Sequence, residues 1–422
     1  MITLNFLREN PQVVIERLQV KNFDATEQVQ QILELDNQKR ALQKQLDDNL
    51  ARQNTIAKQI GILFKEGKAS EAQILKNENT SLKNAAKDLE QDLADTETRL
   101  NDILVLLPNM PHSSVPKGKS ADDNEIVYAH GEAASQGNLL PHWEICKKLN
   151  ILDFETGVKI TGAGFPVYRN KGARLQRSLI NFFIDEAVAA GYEEVQVPYV
   201  VNEASAYATG QLPDKEGQMY CVDLDNLYLI PTAEVPVTNI YRNVLLKESD
   251  FPIRHCAYSA CFRREAGSYG KDVRGLNRLH QFDKVEIVQI VHPDVSYQVL
   301  EEMKAHVGAL LEKLELPYRI VRLCGGDISF TSALTFDFEV WSQGQQKWLE
   351  VSSVSNFESF QANRMKLRFK AENGKSQLAH TLNGSALALP RIMAALMEDH
   401  QTEDGHVRIP QALQKYTGFD MI

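Results

Sequence analysis

The sequence predicts an α+β protein in two parts. Residues 1–110 read as a helical arm dominated by an antiparallel coiled-coil hairpin. Residues 111–422 read as a larger domain built on a mainly antiparallel β-sheet flanked by helices. Three observations carry this reading. Apolar residues recur at alternating spacings of three and four from about residue 27 to residue 107. A Pro/Ser/Gly-rich stretch, residues 108–125, then breaks the pattern. Beyond it, helical and strand-like segments follow without regular βαβ alternation, which favours antiparallel pairing.

The first 25 residues form a helical lead-in, with Asn10-Pro11 as a cap and first-turn pair. Asp24 followed by Glu27 has the spacing of a capping box and starts a long helix. Its apolar positions are Ile32, Leu35, Leu42, Leu46, Ile56, Ile60 and Leu63, with Lys39, Asn49 and Gln53 interrupting the register. Gly67-Lys-Ala-Ser70 turns the chain back. The return helix carries Leu75, Leu82, Ala86, Leu89, Leu93, Leu100, Ile103 and Leu107, and Pro108 and Pro111 end it. Charge is unevenly spread along this hairpin. Between residues 39 and 87 ten basic side chains stand against five acidic ones, a net of +5. Nearer the base nine acidic side chains stand against Arg99 alone, a net of −8. A charged coiled-coil face is ordinarily just solvated, but a basic tip on a chain of net charge −10 suits contact with a phosphate backbone.

The 422 residues are 43% hydrophobic, enough for a sizeable core in two or three domains. No apolar run reaches the length of a membrane span, and the N-terminus lacks the basic-then-apolar pattern of a signal peptide. Cys146, Cys221, Cys256, Cys261 and Cys324 contain no Cys-x-x-Cys pair. This odd, scattered set points to a reducing, cytoplasmic setting and argues against a zinc site or a disulfide framework. The acidic net charge excludes a general nucleic-acid binder and leaves any RNA contact to a local basic patch.

In the second part, residues 174–190 read as a helix that turns through Gly191-Tyr-Glu-Glu-Val-Gln-Val-Pro198 into a strand. The chemistry concentrates in Cys261-Phe-Arg-Arg-Glu265 and His280-Gln-Phe-Asp-Lys-Val-Glu286. These lie in two alternating segments, residues 257–265 and 280–291, read as strands joined by a long polar loop. Alternation puts Arg263 and Glu265 on one face and Arg264 on the other, and it puts Phe282, Lys284 and Glu286 together. If the strands pair, one sheet face presents a guanidinium, two carboxylates and an aromatic ring. A nucleotide needs such a set: a planar cation for phosphate, an acceptor for an amino group and a ring for the base.

This stretch closely resembles motif 2 of the class II aminoacyl-tRNA synthetases, in the form found in the seryl-tRNA synthetases. The resemblance implies that Arg263 holds the α-phosphate and the amino-acid carboxylate, with Arg264 beside it in the ATP site. It also implies that Glu265 reads the adenine amino group, Phe282 stacks on adenine, and Glu286 faces the serine. The linker Asn109-Met-Pro-His-Ser-Ser-Val-Pro116 and the segment Thr209-Gly-Gln-Leu-Pro213 are similar to the same family. The helix–strand at 174–198 resembles motif 1, which builds the dimer interface and implies a homodimer.

Leu229-Ile-Pro-Thr-Ala-Glu234 resembles the family's serine-pocket segment, placing Thr232, Ala233 and Glu234 around the substrate. By itself, Thr-Ala-Glu is only a helix N-cap signal. Leu349-Glu-Val-Ser-Ser-Val-Ser-Asn356 is similar to Glu-x-Ser-Ser-Cys-Ser-Asn, with Val354 in place of the Cys. It implies that Glu350, Val351, Ser352 and Ser353 line the ATP site, with Glu350 and Ser353 holding the Mg²⁺ that bridges the phosphates. Oxygen ligands suit that hard cation. Strict alternation pairs Glu350 with Ser352, so Ser353 requires a bulge. His380-Thr-Leu-Asn-Gly-Ser-Ala-Leu-Ala-Leu-Pro-Arg391, expected to open an apolar helix, resembles motif 3. It implies that Arg391 clamps the nucleotide opposite Phe282 and that Ser385 lines the serine pocket. Ala386 and Pro390 stand where the family more often has Gly, and Pro390 is expected to bend the helix start.

The resemblance covers essentially the whole chain. It implies that L-serine and ATP form seryl-adenylate and pyrophosphate, with Arg263 and Arg391 stabilising charge. The seryl group then passes to tRNA-Ser, gripped by the hairpin, and to tRNA-Sec where a host has one. Two other readings remain. A ligase charging a carrier protein keeps such a core but lacks an arm like residues 27–107. A silent scaffold should have lost Arg263, Glu265 or Glu350, and all three are present.

Overall fold

The computed structural model describes residues 1–132, 139–214, 216–265 and 274–422. The chain divides into two compact units: residues 2–19 with 23–108, and residue 1 with 20–22 and 109–422.

In the first unit, α1 (Leu4–Glu9) and α2 (Pro11–Gln19) precede two long helices, α3 (Thr26–Lys65) and α4 (Ala69–Leu104). Pro11 opens α2, where its missing N–H costs nothing. The expected capping box does not form. Asp24 Oδ1 instead accepts from the backbone N (3.0 Å) and the hydroxyl (2.6 Å) of Thr26, closing a short turn ahead of the helix. The 40 residues of α3 span about 60 Å. The chain reverses through Gly67, at φ +76°, a conformation that favours glycine. Ile32, Leu35, Leu46, Ile56, Ala86 and Leu100 are buried, joined by Val29, Ala72, Thr96 and Leu104. Two of the polar residues that interrupt the heptads make bonds across the hairpin. Lys39 Nζ lies 2.8 Å from Glu97, and Gln53 Nε2 donates to Leu82 O at 3.4 Å.

The second unit is organised by an eight-stranded sheet. Its strands are β1 (Glu125–His130), β2 (Glu193–Glu194), β3 (Ile253–Phe262), β4 (Gln281–Val291), β5 (Tyr318–Arg322), β6 (Leu334–Ser342), β7 (Lys347–Asn356) and β8 (His380–Ala388). Their order is β1-β5-β6-β7-β8-β4-β3-β2, antiparallel throughout except for β2 against β3. The helices that matter for the site are α5 (His142–Lys148), α6 (Asn170–Ala189), α7 (Glu234–Asn239), α8 (Ser296–Lys313), α9 (Phe360–Met365) and α10 (Leu389–Asp399).

Alternation sorts the sheet into an apolar and a polar face. Val285 and Ile287 of β4, Leu382 and Ala386 of β8, Val354 of β7, and Phe336 and Phe338 of β6 join one core. Leu175, Leu179, Phe182 and Phe183 of α6, Val299, Met303 and Val307 of α8, and Ile392, Met393 and Leu396 of α10 close it. Phe282, Lys284 and Glu286 alternate with these core residues along β4, so the opposite face carries the polar groups.

Two bulges set which residues share that polar face. On β7, Glu350 stands opposite Glu339 and Ser352 opposite Phe338, leaving Val351 without a partner of its own. The extra residue carries Glu350 onto the face of Ser353, which stands opposite Asp337. The second slip lies between β4 and β8, where Lys284 pairs with Ala388 but Glu286 pairs with Ser385. The segment at 380–388 is thus a strand rather than the start of a helix. α10 begins at Leu389, with Pro390 in its first turn. No intrahelical N–H is needed there, so the helix opens at the proline.

Candidate active site

An open cleft lies on the polar face, between the ends of β3 and β4, β7, and the start of α10. Its lining includes Arg263, Glu265, Phe282, Lys284, Glu350, Val351, Ser385 and Arg391. β3 stops at Phe262, three residues short of the expected strand end. The chain leaves the ladder because Phe262 N donates to Ile230 O and Arg264 N to Gln218 O. Arg263 N still reaches His280 O at 2.9 Å, and Glu265 follows at φ +48°. Arg263 and Glu265 therefore share the cleft as alternation predicts, although the backbone carrying them is not a strand. Arg264 is not among its lining residues. The loop joining the strands, residues 266–273, lies outside the described residues.

The Arg263 guanidinium carbon sits 5.2 Å from the centre of the Phe282 ring, and its Nε donates to Pro231 O at 3.3 Å. Glu265 Oε2 accepts from Arg278 Nη1 at 3.1 Å. Across the cleft, Arg391 Nε donates to Asn277 O at 3.0 Å and Nη1 to Glu350 O at 2.5 Å. Ser352 lies off the cleft, its hydroxyl donating to Ser385 O.

Beneath the cleft lies a buried set of charges. Glu286 Oε2 accepts from the Thr232 hydroxyl at 2.9 Å and lies 2.6 Å from Lys284 Nζ. Asn383 Nδ2 donates to Glu234 Oε2 at 2.8 Å and to Glu286 Oε1 at 3.2 Å, bridging the two carboxylates. Glu234 Oε1 accepts from Gln361 Nε2 at 2.6 Å, and Gln361 Oε1 accepts from the Thr381 hydroxyl at 2.7 Å. Burial, reinforced by the charge of Glu286, pushes the Glu234 carboxyl up to about 7. Thr232 also accepts from Glu234 N at 3.2 Å, the local bond its N-cap signature anticipates. The Ala233 methyl packs with Val197, Val237, Ala257 and Val288.

On β7 the oxygens of Glu350 and Ser353 share a face with Asp337. Burial, then the charge of Glu350, holds the Asp337 carboxyl well above its ordinary range, and its Oδ1 is buried without a hydrogen-bond partner. This all-oxygen set suits a hard divalent cation. Among the described residues no group of three or more His, Cys, Asp and Glu side chains could hold a metal by itself.

Comparison with known proteins gives the geometry its context. Residues 1–111 match the model of the seryl-tRNA synthetase N-terminal domain, and residues 220–400 that of the tRNA synthetase class II core domain (G, H, P, S and T). A serine–tRNA ligase of Salinibacter ruber is 49% identical, covering 100% of this chain and 99% of that protein. The chain belongs to the seryl-tRNA synthetase family. A serine–tRNA ligase of Chlorobaculum parvum is 46% identical over the whole of both chains. Among solved structures, seryl-tRNA synthetase from Pyrococcus horikoshii complexed with ATP superposes with a TM-score of 0.93 at 33% identity, covering 100% of this chain and 99% of that one. Cytoplasmic serine–tRNA ligase from Naegleria fowleri in complex with AMP gives 0.87 at 26%, covering 100% and 98%. Among the described residues no helix is long and apolar enough to cross a membrane.

Members of the site that the motifs leave unassigned include Lys284, Asn383 and Gln361. Two of them carried a signal. Lys284 alternates with Phe282 and Glu286, and Asn383 stands two residues before Ser385, so both share a face with an assigned neighbour. Gln361 arrives from α9 and carries no pattern of its own.

Proposed function

We propose that the cleft forms seryl-adenylate, with the nucleotide between Phe282 and Arg391 and the serine over the buried Glu234–Glu286 pair. The observation that carries this reading is the Asn383 bridge between those carboxylates directly beside a cationic cleft. It offers an anionic socket for an ammonium group next to guanidinium groups for a carboxylate and a phosphate. The enzyme activates L-serine with ATP and transfers the seryl group to tRNA-Ser. Where a host carries tRNA-Sec, that RNA is a second acceptor.

In this reading Arg263 holds the serine carboxylate against the α-phosphorus. Arg263 and Arg391 then meet the charge that grows there during in-line attack. Glu265 reads the adenine amino group, the backbone of Val351 and Ser352 forms an edge of the site, and Arg264, outside the cleft lining, is assigned to the nucleotide by the motif alone. Thr232, Ala233 and Glu234 surround the serine amino group, while Glu286 and Ser385 bind its hydroxyl. Glu350 and Ser353 would hold Mg²⁺, which supplies charge neutralisation of the phosphates when bound. Residues 1–110 act as the tRNA-binding arm, residues 111–422 carry the catalysis, and α6 with β2 joins two copies into a homodimer. A cytoplasmic setting follows from the substrates.

Serine-dependent exchange of labelled pyrophosphate into ATP tests the assignment. Arg263→Ala should remain folded and lose on the order of 3 kcal/mol of transition-state stabilisation, about a hundredfold in kcat/KM. Exchange at the wild-type rate in that variant would remove Arg263 from the reaction.

A further inference from the structure

A buried dyad outside the chemistry joins α5 to α10. His142 Nδ1 lies 2.7 Å from Glu398 Oε1, and both side chains are almost wholly buried. Glu398 has further donors: His142 N at 3.0 Å, the Ser342 hydroxyl at 2.8 Å and Gly344 N at 3.1 Å. The other ring nitrogen, His142 Nε2, accepts from Leu276 N at 2.9 Å. A backbone N–H can only donate, so Nε2 is bare and the ring proton sits on Nδ1, aimed at Glu398. Each end of the imidazole is committed.

Leu276 and Asn277 form part of the cleft wall. Glu398 lies seven residues beyond Arg391 on α10, two helical turns along one face. Arg391 Nε donates to Asn277 O at 3.0 Å. The same helix thus grips consecutive residues of the wall twice, directly through Arg391 and indirectly through Glu398 and His142. Gly275 permits the approach: its φ is +70°, and a Cβ there would stand 2.1 Å from His142 Nε2.

We propose that His142 is a positioning residue for the nucleotide cleft, holding Leu276 through Nε2 while Glu398 fixes its tautomer and orientation. The proposal rests on reading the cleft as the ATP site. Removing the Nε2 acceptor frees the wall at Leu276, while the serine socket, built from Thr232, Glu234, Gln361 and residues of β4 and β8, keeps all its bonds. The defect therefore falls on ATP.

Two replacements separate positioning from simple packing. The amide nitrogen of His142→Asn can take the Nδ1 place and keep the bond to Glu398, but nothing then reaches Leu276. The amide oxygen of His142→Gln can take the Nε2 place and accept from Leu276. In serine-dependent pyrophosphate exchange by the full-length protein, His142→Asn should raise KM for ATP about tenfold, the cost of one lost hydrogen bond. KM for serine should stay within about twofold of wild type, and His142→Gln should recover most of the ATP effect. Gly275→Ala, which pushes the wall off His142 without touching Glu398, should show the same ATP-specific rise and serves if His142→Asn does not fold. An unchanged KM for ATP in both His142→Asn and Gly275→Ala overturns the proposal. So does equal loss in the Asn and Gln variants with both KM values moving together. Phe282→Ala distinguishes the two readings. If it raises KM for ATP while His142→Asn does not, positioning fails alone. If neither moves it, the cleft is not the ATP site.

Discussion

Lys284 Nζ lies 2.6 Å from Glu286 Oε2 with both side chains buried, so the carboxylate of the proposed serine pocket carries its own counter-ion before any substrate arrives. Removing one member of a buried pair leaves the other charge uncompensated, at a cost of about 3–5 kcal/mol. Lys284→Met should therefore lower the urea-unfolding free energy by about that amount. The double variant Lys284→Met/Glu286→Gln should recover most of it, because no isolated charge then remains. Additive losses in the double-mutant cycle would show that the two groups do not act as a unit.

Glu234 sets a pH dependence. Its carboxyl is raised from the ordinary 4.5 to about 7 by burial and then by Glu286, so the folded state holds this proton more tightly than the unfolded chain does. Between those two values the folded protein binds more protons, and stability falls as pH rises, with the full loss present above about 7. The size is on the order of 3 kcal/mol. Glu234→Gln should flatten that part of the stability–pH profile. Serine's ammonium should favour the ionised carboxylate, so the wild-type KM for serine should fall as pH rises from about 6 to about 8. Parallel stability profiles for wild type and variant would exclude Glu234 as the titrating group.

The hairpin and the mainly antiparallel sheet were legible because period and turn chemistry are local properties. What the sequence concealed was register. The need for a bulge between Glu350 and Ser353 followed from the resemblance, but its place, at Val351, is set by pairing with β6. The end of β3 at Phe262 likewise follows from bonds to Ile230 and Gln218, which come from distant loops. Asp24 turned onto Thr26 rather than capping with Glu27, because its carboxylate takes both the backbone N and the hydroxyl of Thr26. At Pro390 the proline itself was visible. Its position relative to the helix start was not, because residues 380–388 pair as a strand. The Gln361–Glu234 bond joins residues 127 apart and is visible only in the folded chain.

Substrate selection should follow from the buried polar socket. Glu286 and Ser385 face one another across β4 and β8, and both are buried. A pocket built to bond a hydroxyl is left with unpaired polar groups when an analogue lacks it, which typically discriminates by a factor of about 10⁴. Alanine should therefore be activated orders of magnitude less well than serine in pyrophosphate exchange. Comparable kcat/KM for the two amino acids would mean that the hydroxyl is bound elsewhere.

The arm offers the sharpest separation of the two half-reactions. Its antiparallel helices bring residues 30 and 105 to the same end of the hairpin, so residues 30–105 can be replaced by a short Gly/Ser linker. The excised protein should retain serine-dependent pyrophosphate exchange, whose residues all lie beyond residue 140, and should lose most tRNA charging. The cations of the tip are not equivalent. Arg52 is engaged by Glu78 at 2.5 Å and Lys68 lies 2.9 Å from Glu66, whereas Lys58, Lys65, Lys83 and Lys87 are exposed on the helix surfaces. Each phosphate contact releases counter-ions, so losing one lowers the slope of log K against log salt by roughly one. Replacing Lys58, Lys65, Lys83 and Lys87 by Glu should weaken tRNA binding at low salt and flatten its salt dependence by up to about four such contacts. The serine and ATP KM values should stay at wild type. Full aminoacylation by the armless protein would make the hairpin a bystander. An unchanged salt slope in the charge-reversed protein would move the RNA contact to another surface.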